Sequence, residues 1–189
     1  MLDEFTAALE KVASLGEEVA RLEAGTVEQE TAALKKLIAM IKPVSRYVDY
    51  PVQTYAFHAG QQYHRWEYEY LDERGIILVD NFTTKYSGYP DDRDTRGDYI
   101  GSQLVLTRSG KLLRLVRSGD WSKWQGEASQ WNAKASEVTP HEAVKKYGLT
   151  EIVQGFVRAF REAISKAEKK QKTLGNRLEV LEQIKSTLG

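Results

Sequence analysis

The sequence predicts an α+β fold. An antiparallel β-sheet of four to five strands, over about residues 44–136, is flanked by N- and C-terminal long helices that pair as an antiparallel coiled coil or small bundle. Three observations predict it. From Val153 to Leu188 a 4-3 spacing runs unbroken for five heptads, with Gln171 and Lys185 its polar members. A stripe this narrow and this long describes a helix that needs a partner helix. Residues 1–42 carry a second helical pattern, and the stretch between turns to period two and is rich in Tyr, Trp, Val and Gly, as half-buried strands are. The organisation is a single domain or a head on a stalk: an N-terminal arm (1–42), a β head (44–136) and C-terminal helices (139–189), with the heptad repeat over 153–188.

Each element has its own signal. In the first arm Leu2, Phe5, Leu9, Val12, Leu15, Val19 and Leu22 keep helical spacing, and Val27, Leu34, Ile38 and Ile41 continue it on a shifted phase. The shift coincides with Gly25-Thr26. Thr26 and Gln29 fit a capping box, so a break at Gly25 into two helices is favoured over one helix with a skip. Pro43 ends the arm, because a residue before proline is pushed out of the helical region. In the head, Tyr47–Phe57 is interrupted by Pro51, which favours an edge strand or a bulge. His64, Trp66, Tyr68 and Tyr70 alternate with Arg65, Glu67 and Glu69, giving a strand with an apolar and a solvated face. Asp72–Gly75 turns it into Ile76–Val79. Residues 103–107 and 112–116 flank Ser109-Gly110, a tight hairpin signal. Hairpin-length turns make the sheet antiparallel. Thr139-Pro140-His141-Glu142 starts a short helix with an N-cap, a proline at the first position and an acid at the third; it stops at Gly148. Thr150 then caps a helix of about 38 residues, roughly 57 Å long, which must overhang a strand of about 30 Å.

Charge narrows the function classes. Of 189 residues, 27 are Lys or Arg and 27 are Asp or Glu, so no global field attracts nucleic acid or an acidic membrane. The chain has no cysteine, which excludes disulfides, thiolate metal sites and cysteine nucleophiles. No apolar run approaches the ~18 residues of a membrane span, and the acidic start MLDEFTAALE lacks the basic opening of a signal peptide. The expectation is a cytoplasmic protein without a membrane partner. The arms differ in sign. Residues 1–42 hold eight acids and five bases, net −3, and residues 140–189 hold six acids and ten bases, net +4. Opposite charge favours their pairing in a salt-dependent way. The same seam can pair between chains, as a homodimer through the heptad helix.

Catalytic signatures are few. Phosphate-loop, dinucleotide and nucleophile-elbow patterns do not occur. His58, His64 and His141 have no carboxylate spaced to complete a metal site, so no metal and no cofactor are expected. In the loop from Ser87 to Asp98, Asp92, Asp94 and Gly97 echo a calcium loop, but Arg96 stands where an oxygen ligand belongs and Gln103 where the bidentate Glu would be. Tyr89, Asp92, Arg93 and Arg96 are instead candidates for a recognition loop, which is longer than a hairpin requires. Trp121, Trp124 and Trp131 lie close to Arg114, Arg117 and Lys123. Aromatic residues among bases suit a protein partner, for which Trp and Arg are favoured anchors; they suit nucleic acid as the alternative, with Lys166, Lys169, Lys170 and Lys172 as phosphate contacts. The bland reading is that the tryptophans cover the sheet. The leading expectation is a non-enzymatic interaction protein of adaptor or inhibitor type, a helical scaffold presenting a β head.

Overall fold

A computed structural model describes residues 2–58, 66–87, 96–122 and 128–188. The chain is α+β, with an antiparallel sheet and two long helices. Helix α1 (Leu2–Ile41) leads through a 3-10 turn (Lys42–Tyr47) into β1 (Gln53–His58), β2 (Trp66–Tyr70), β3 (Gly75–Asp80), β4 (Thr83–Ser87), β5 (Arg96–Thr107), β6 (Leu112–Ser122) and β7 (Ala128–Val138); α2 (Pro140–Tyr147) and α3 (Leu149–Leu188) close the chain.

The sheet runs β2-β1-β7-β6-β5-β3, and β4 also pairs with β5. Among the described residues there are thus seven strands rather than four or five. The additional ones are β7 and β4. The polar β7 segment, Ala-Ser-Gln-Trp-Asn-Ala-Lys-Ala-Ser-Glu-Val, carries little of the β-branched enrichment by which strands are recognised. It is nevertheless paired along its whole length with β6. β1 is not an edge: it lies between β2 and β7, and the irregularity hinted at by Pro51 appears as a register shift between Gln53 and Tyr55.

The turn from β2 to β3 is not a hairpin turn either, since β2 and β3 sit at opposite ends of the strand order. Five inter-strand spacings of about 4.8 Å would set them roughly 24 Å apart in a flat sheet. The chain from Tyr70 to Gly75 takes five Cα steps, which reach at most about 18 Å. The sheet must therefore curl. Tyr50 and Gly75 bridge the closing seam, each N–H donating to the other's carbonyl at 3.1 Å. Asp49, only 1% exposed at its side chain, clamps the same place: it accepts from Arg74 Nε at 2.9 Å and Arg108 Nε at 2.7 Å. Glu73 accepts from the backbone and hydroxyl of Ser109 beside it. Burial pushes the Asp49 carboxyl up, but the hydrogen bonds and charges of Arg108 and Arg74 outweigh it and hold the group below its ordinary value.

Curling gives the sheet two cores. The concave side encloses Val52, Val105 and Leu115, with Leu71, Ile77, Leu113 and Ala133 around them. The convex side carries Ile76, Leu78, Leu104, Leu106 and Leu112 against Leu34 and Ile41 of α1, Val144 and Tyr147 of α2, and Ile152 and Phe156 of α3. The Tyr147 hydroxyl meets Ser102 Oγ at 3.0 Å in this interface. Closest approach is at Gly155 of α3, where an added Cβ would lie 1.8 Å from the Leu78 carbonyl oxygen. β3 shifts register between Ile77 and Val79, and Arg158 Nη2 donates to that same Leu78 carbonyl at 3.3 Å.

The helices resolve the sequence signals unevenly. α2 begins with the full capping box: Thr139 Oγ1 accepts from Glu142 N–H, and the Glu142 carboxylate accepts from Thr139 N–H at 2.7 Å. α1 does not break at Gly25. It runs continuously to Ile41, and Thr26 Oγ1 donates to the Leu22 carbonyl at 2.8 Å instead of capping a second helix. A glycine inside a helix costs only about 1 kcal/mol relative to alanine, which 40 continuous residues absorb. On α3 the sheet-facing stripe is Ile152, Phe156 and Ala159, one position off the heptad seam of Val153, Val157 and Ile164. α1 packs chiefly on α2 and touches α3 little. Val12, Leu15, Val19 and Leu22 of α1, and Ile164, Leu174, Leu178 and Leu181 of α3, are exposed.

Candidate functional site

The most distinctive side-chain arrangement lies where the curled sheet opens toward α3. Arg117 of β6 has Trp131 of β7 on one side and Phe82, from the β3–β4 connection, on the other. Its guanidinium carbon stands 3.6 Å from the Trp131 ring centroid and 3.7 Å from that of Phe82. A planar cation between two π faces is held by electrostatics and by apolar contact together. Sheet register puts it there: Arg117 pairs with Ala133 on β7 and with Gly101 on β5, and Trp131 pairs with Gly119.

Gly101 makes the arrangement fit. It has φ +131°, and a Cβ there would stand 2.1 Å from the Asn81 carbonyl oxygen. The edge of β5 changes partner at this point, from β3 to β4. Asn81 N–H donates to the Ser102 carbonyl, and Phe82 N–H donates to Asp80 Oδ1 at 3.3 Å, which fixes the turn that delivers the Phe82 ring.

Around the stack a concavity is lined by Tyr50, Ile77, Asp80, Phe82, Arg117, Arg158 and Glu162. Two guanidiniums face two carboxylates there. Burial pushes the Tyr50 phenol up; a hydrogen bond from the Ile77 backbone and the Arg158 charge offset part of this, while Glu162 and Asp80 add to it. The phenol thus keeps its proton at neutral pH and can donate or accept. Such a lining offers recognition of a polar group that both donates and accepts hydrogen bonds.

The residues singled out by sequence separate into groups. Arg117 and Trp131 come together, and Trp131 is buried at 6% exposure beneath the guanidinium. Arg114 is three residues from Arg117 on the same strand and so on the opposite face; its Nε is buried with no hydrogen-bond partner among the described residues. Trp121 is the last residue but one of β6, its backbone paired with Gly97 and Ser129, and Arg96 begins β5 opposite Ser122 and Ser87. Tyr89, Asp92, Arg93, Lys123 and Trp124 lie outside the described residues. Two further bases of the basic stretch have partners: Arg108 holds Asp49, and Lys111 Nζ reaches Glu137 Oε2 at 3.1 Å.

Sequence reasoning missed Phe82, Tyr50, Asp80, Arg158 and Glu162. Gly101 inside a strand pattern was the available signal, since such a glycine marks a bulge or a close backbone approach. Among the described residues no group of three or more His, Asp or Glu side chains could hold a metal ion, and no helix is long and apolar enough to cross a membrane. No family model, curated protein or solved structure matches this chain.

Proposed function

We propose that this chain is a non-enzymatic interaction protein of adaptor or inhibitor type, acting in the cytoplasm, in which the helices form a scaffold and the β head presents a partner-binding surface. The observation that carries the proposal is the apolar surface left on the projecting helices. Val12 is 68% exposed and Leu178 61%, at a spacing that a helical partner covers and solvent does not favour. The arms accordingly pair as an antiparallel coiled coil or small bundle when the protein works. On the head, the residues proposed for recognition are Trp121, Trp124, Tyr89, Asp92, Arg93 and Arg96, together with the Arg117 concavity. The test is capture of protein partners by the full chain against a Trp121→Ala/Trp124→Ala variant with unchanged circular dichroism. Loss of bound protein is expected. A folded variant that keeps every partner removes the Trp segment from the proposal.

Nucleic acid is the second reading, favoured by the exposure of Lys166, Lys169, Lys170 and Lys172 on α3. It predicts binding that weakens steeply as salt rises. The internal partners of Arg108, Lys111 and Arg117 count against it, because they withdraw bases from the patch it needs.

A further inference from the structure

We infer that the projecting arms form one self-association surface whose occupant is a second copy of this chain, α1 of each copy receiving α3 of the other. The inference rests on the scaffold reading of the helices above and is independent of what the head binds.

The apolar seams come first. On α1, Val12, Leu15, Val19 and Leu22 follow a 3-4-3 spacing and are all at least 51% exposed. On α3, Ile164, Leu174, Leu178 and Leu181 extend the heptad seam and are all at least 47% exposed. Each helix buries a different part of itself at its root. Leu34 and Ile41 of α1, and Ile152, Phe156 and Ala159 of α3, face the sheet and α2. The exposed seams are therefore additional to the faces that hold the fold, and two 40-residue helices, about 60 Å each, carry them well beyond it.

Charge selects the occupant. Residues 2–30 hold eight acids (Asp3, Glu4, Glu10, Glu17, Glu18, Glu23, Glu28, Glu30) and two bases (Lys11, Arg21), net −6. Residues 161–188 hold seven bases (Arg161, Lys166, Lys169, Lys170, Lys172, Arg177, Lys185) and four acids (Glu162, Glu168, Glu179, Glu182), net +3. Pairing α1 with α1, or α3 with α3, sets arms of like net charge against each other. Pairing α1 with α3 sets opposite charges beside apolar seams, the arrangement that directs partner choice in coiled coils. No foreign partner is needed to supply that complement, because the chain carries both halves.

Geometry makes the α3 come from another copy. Within one chain α1 lies on α2, with His141 and Lys145 beside Val19–Glu28, and meets α3 little. The two exposed seams therefore do not close on each other within one chain, and each is left for the other copy. A two-fold pair makes the α1–α3 contact twice. α1 runs toward the sheet and α3 away from it, so antiparallel pairing places both heads at the same end.

Light scattering on the full chain tests this, from low to high micromolar concentration. The expected mass doubles from 21.5 kDa as concentration rises, and the dimer weakens as salt rises from about 50 to 500 mM, because unlike arms lose their attraction. Leu15→Lys/Val19→Lys on α1 and Leu174→Glu/Leu178→Glu on α3 each abolish the doubling. All four side chains are about half or more exposed, so circular dichroism of each variant stays that of the parent. A chain that remains monomeric at every concentration overturns the inference, as an intrachain pair would. So does a dimer that survives either variant, or one that tightens with salt. The Trp121/Trp124 capture experiment leaves the arms untouched, so either idea can fail without the other.

Discussion

Asp49 shows how much one residue carries when a sheet closes on itself. Its neighbour Tyr50, just ahead of β1, bridges Gly75 at the start of β3, and its carboxylate holds an arginine from each of two turns. Asp49→Asn should lower stability at neutral pH by about 1–2 kcal/mol, a figure reduced for screening because both arginines are about half exposed. The sign with pH follows from the depressed carboxyl. The folded group binds its proton less readily than the unfolded one, so its contribution is complete above the ordinary value of 3.8 and fades as pH falls through the lower folded value. Urea denaturation at pH 7 and near pH 3 should find the gap between parent and variant narrowing in acid. A gap that widens in acid would sink this account. Neither the ion cluster nor the Arg117 stack was legible in sequence, since Asp49 and Arg108 are 59 residues apart and Phe82 and Trp131 reach Arg117 only through the register of four strands.

At the scale of elements, short-range chemistry was the readable part. The capping box of α2, the Ser109-Gly110 hairpin and the stop at Pro43 all depend on residues within a few positions of one another. β7 was missed because its strand character comes from two neighbours rather than from its own composition. The supposed break at Gly25 misled for a related reason: a capping box is an option that a continuing helix can overrule. Glycine has opposite meanings on the two long helices. A Cβ at Gly25 would meet nothing within 4 Å, whereas one at Gly155 would strike the Leu78 backbone. Gly25→Ala should therefore raise stability by about 0.5–1 kcal/mol, and Gly155→Ala should lower it by about 1–3 kcal/mol. Thermal denaturation of both variants checks the pair, and equal signs would contradict the placement of α3 on β3.

The whole molecule is a curled sheet with helices gathered on its convex side and their far halves extended into solvent. Stability should reside in the sheet and the helix roots. Removing residues 165–189 should leave the far-ultraviolet signature of the sheet and a Tm close to that of the full chain at low concentration, because residues 165–183 are exposed throughout. It should also remove concentration-dependent association. A truncated chain that unfolds would show that the distal half of α3 supports the head directly.

By itself the sequence determined the α+β class, the antiparallel sense of the strands, the helical character of both ends of the chain and the 4-3 seam of the second. These follow from periodicity, caps and turns, which act over a few residues. Only the tertiary structure decided that the sheet curls, that β1 is interior, and that Arg117 rests between Phe82 and Trp131. It also decided that α3 meets β3 through Gly155 rather than through its heptad stripe. Strand order is a matter of which distant segments pair, and composition does not record that. The seam was visible from the start; that the folded chain leaves it open to solvent is a consequence of where α2 and the sheet place the helix roots.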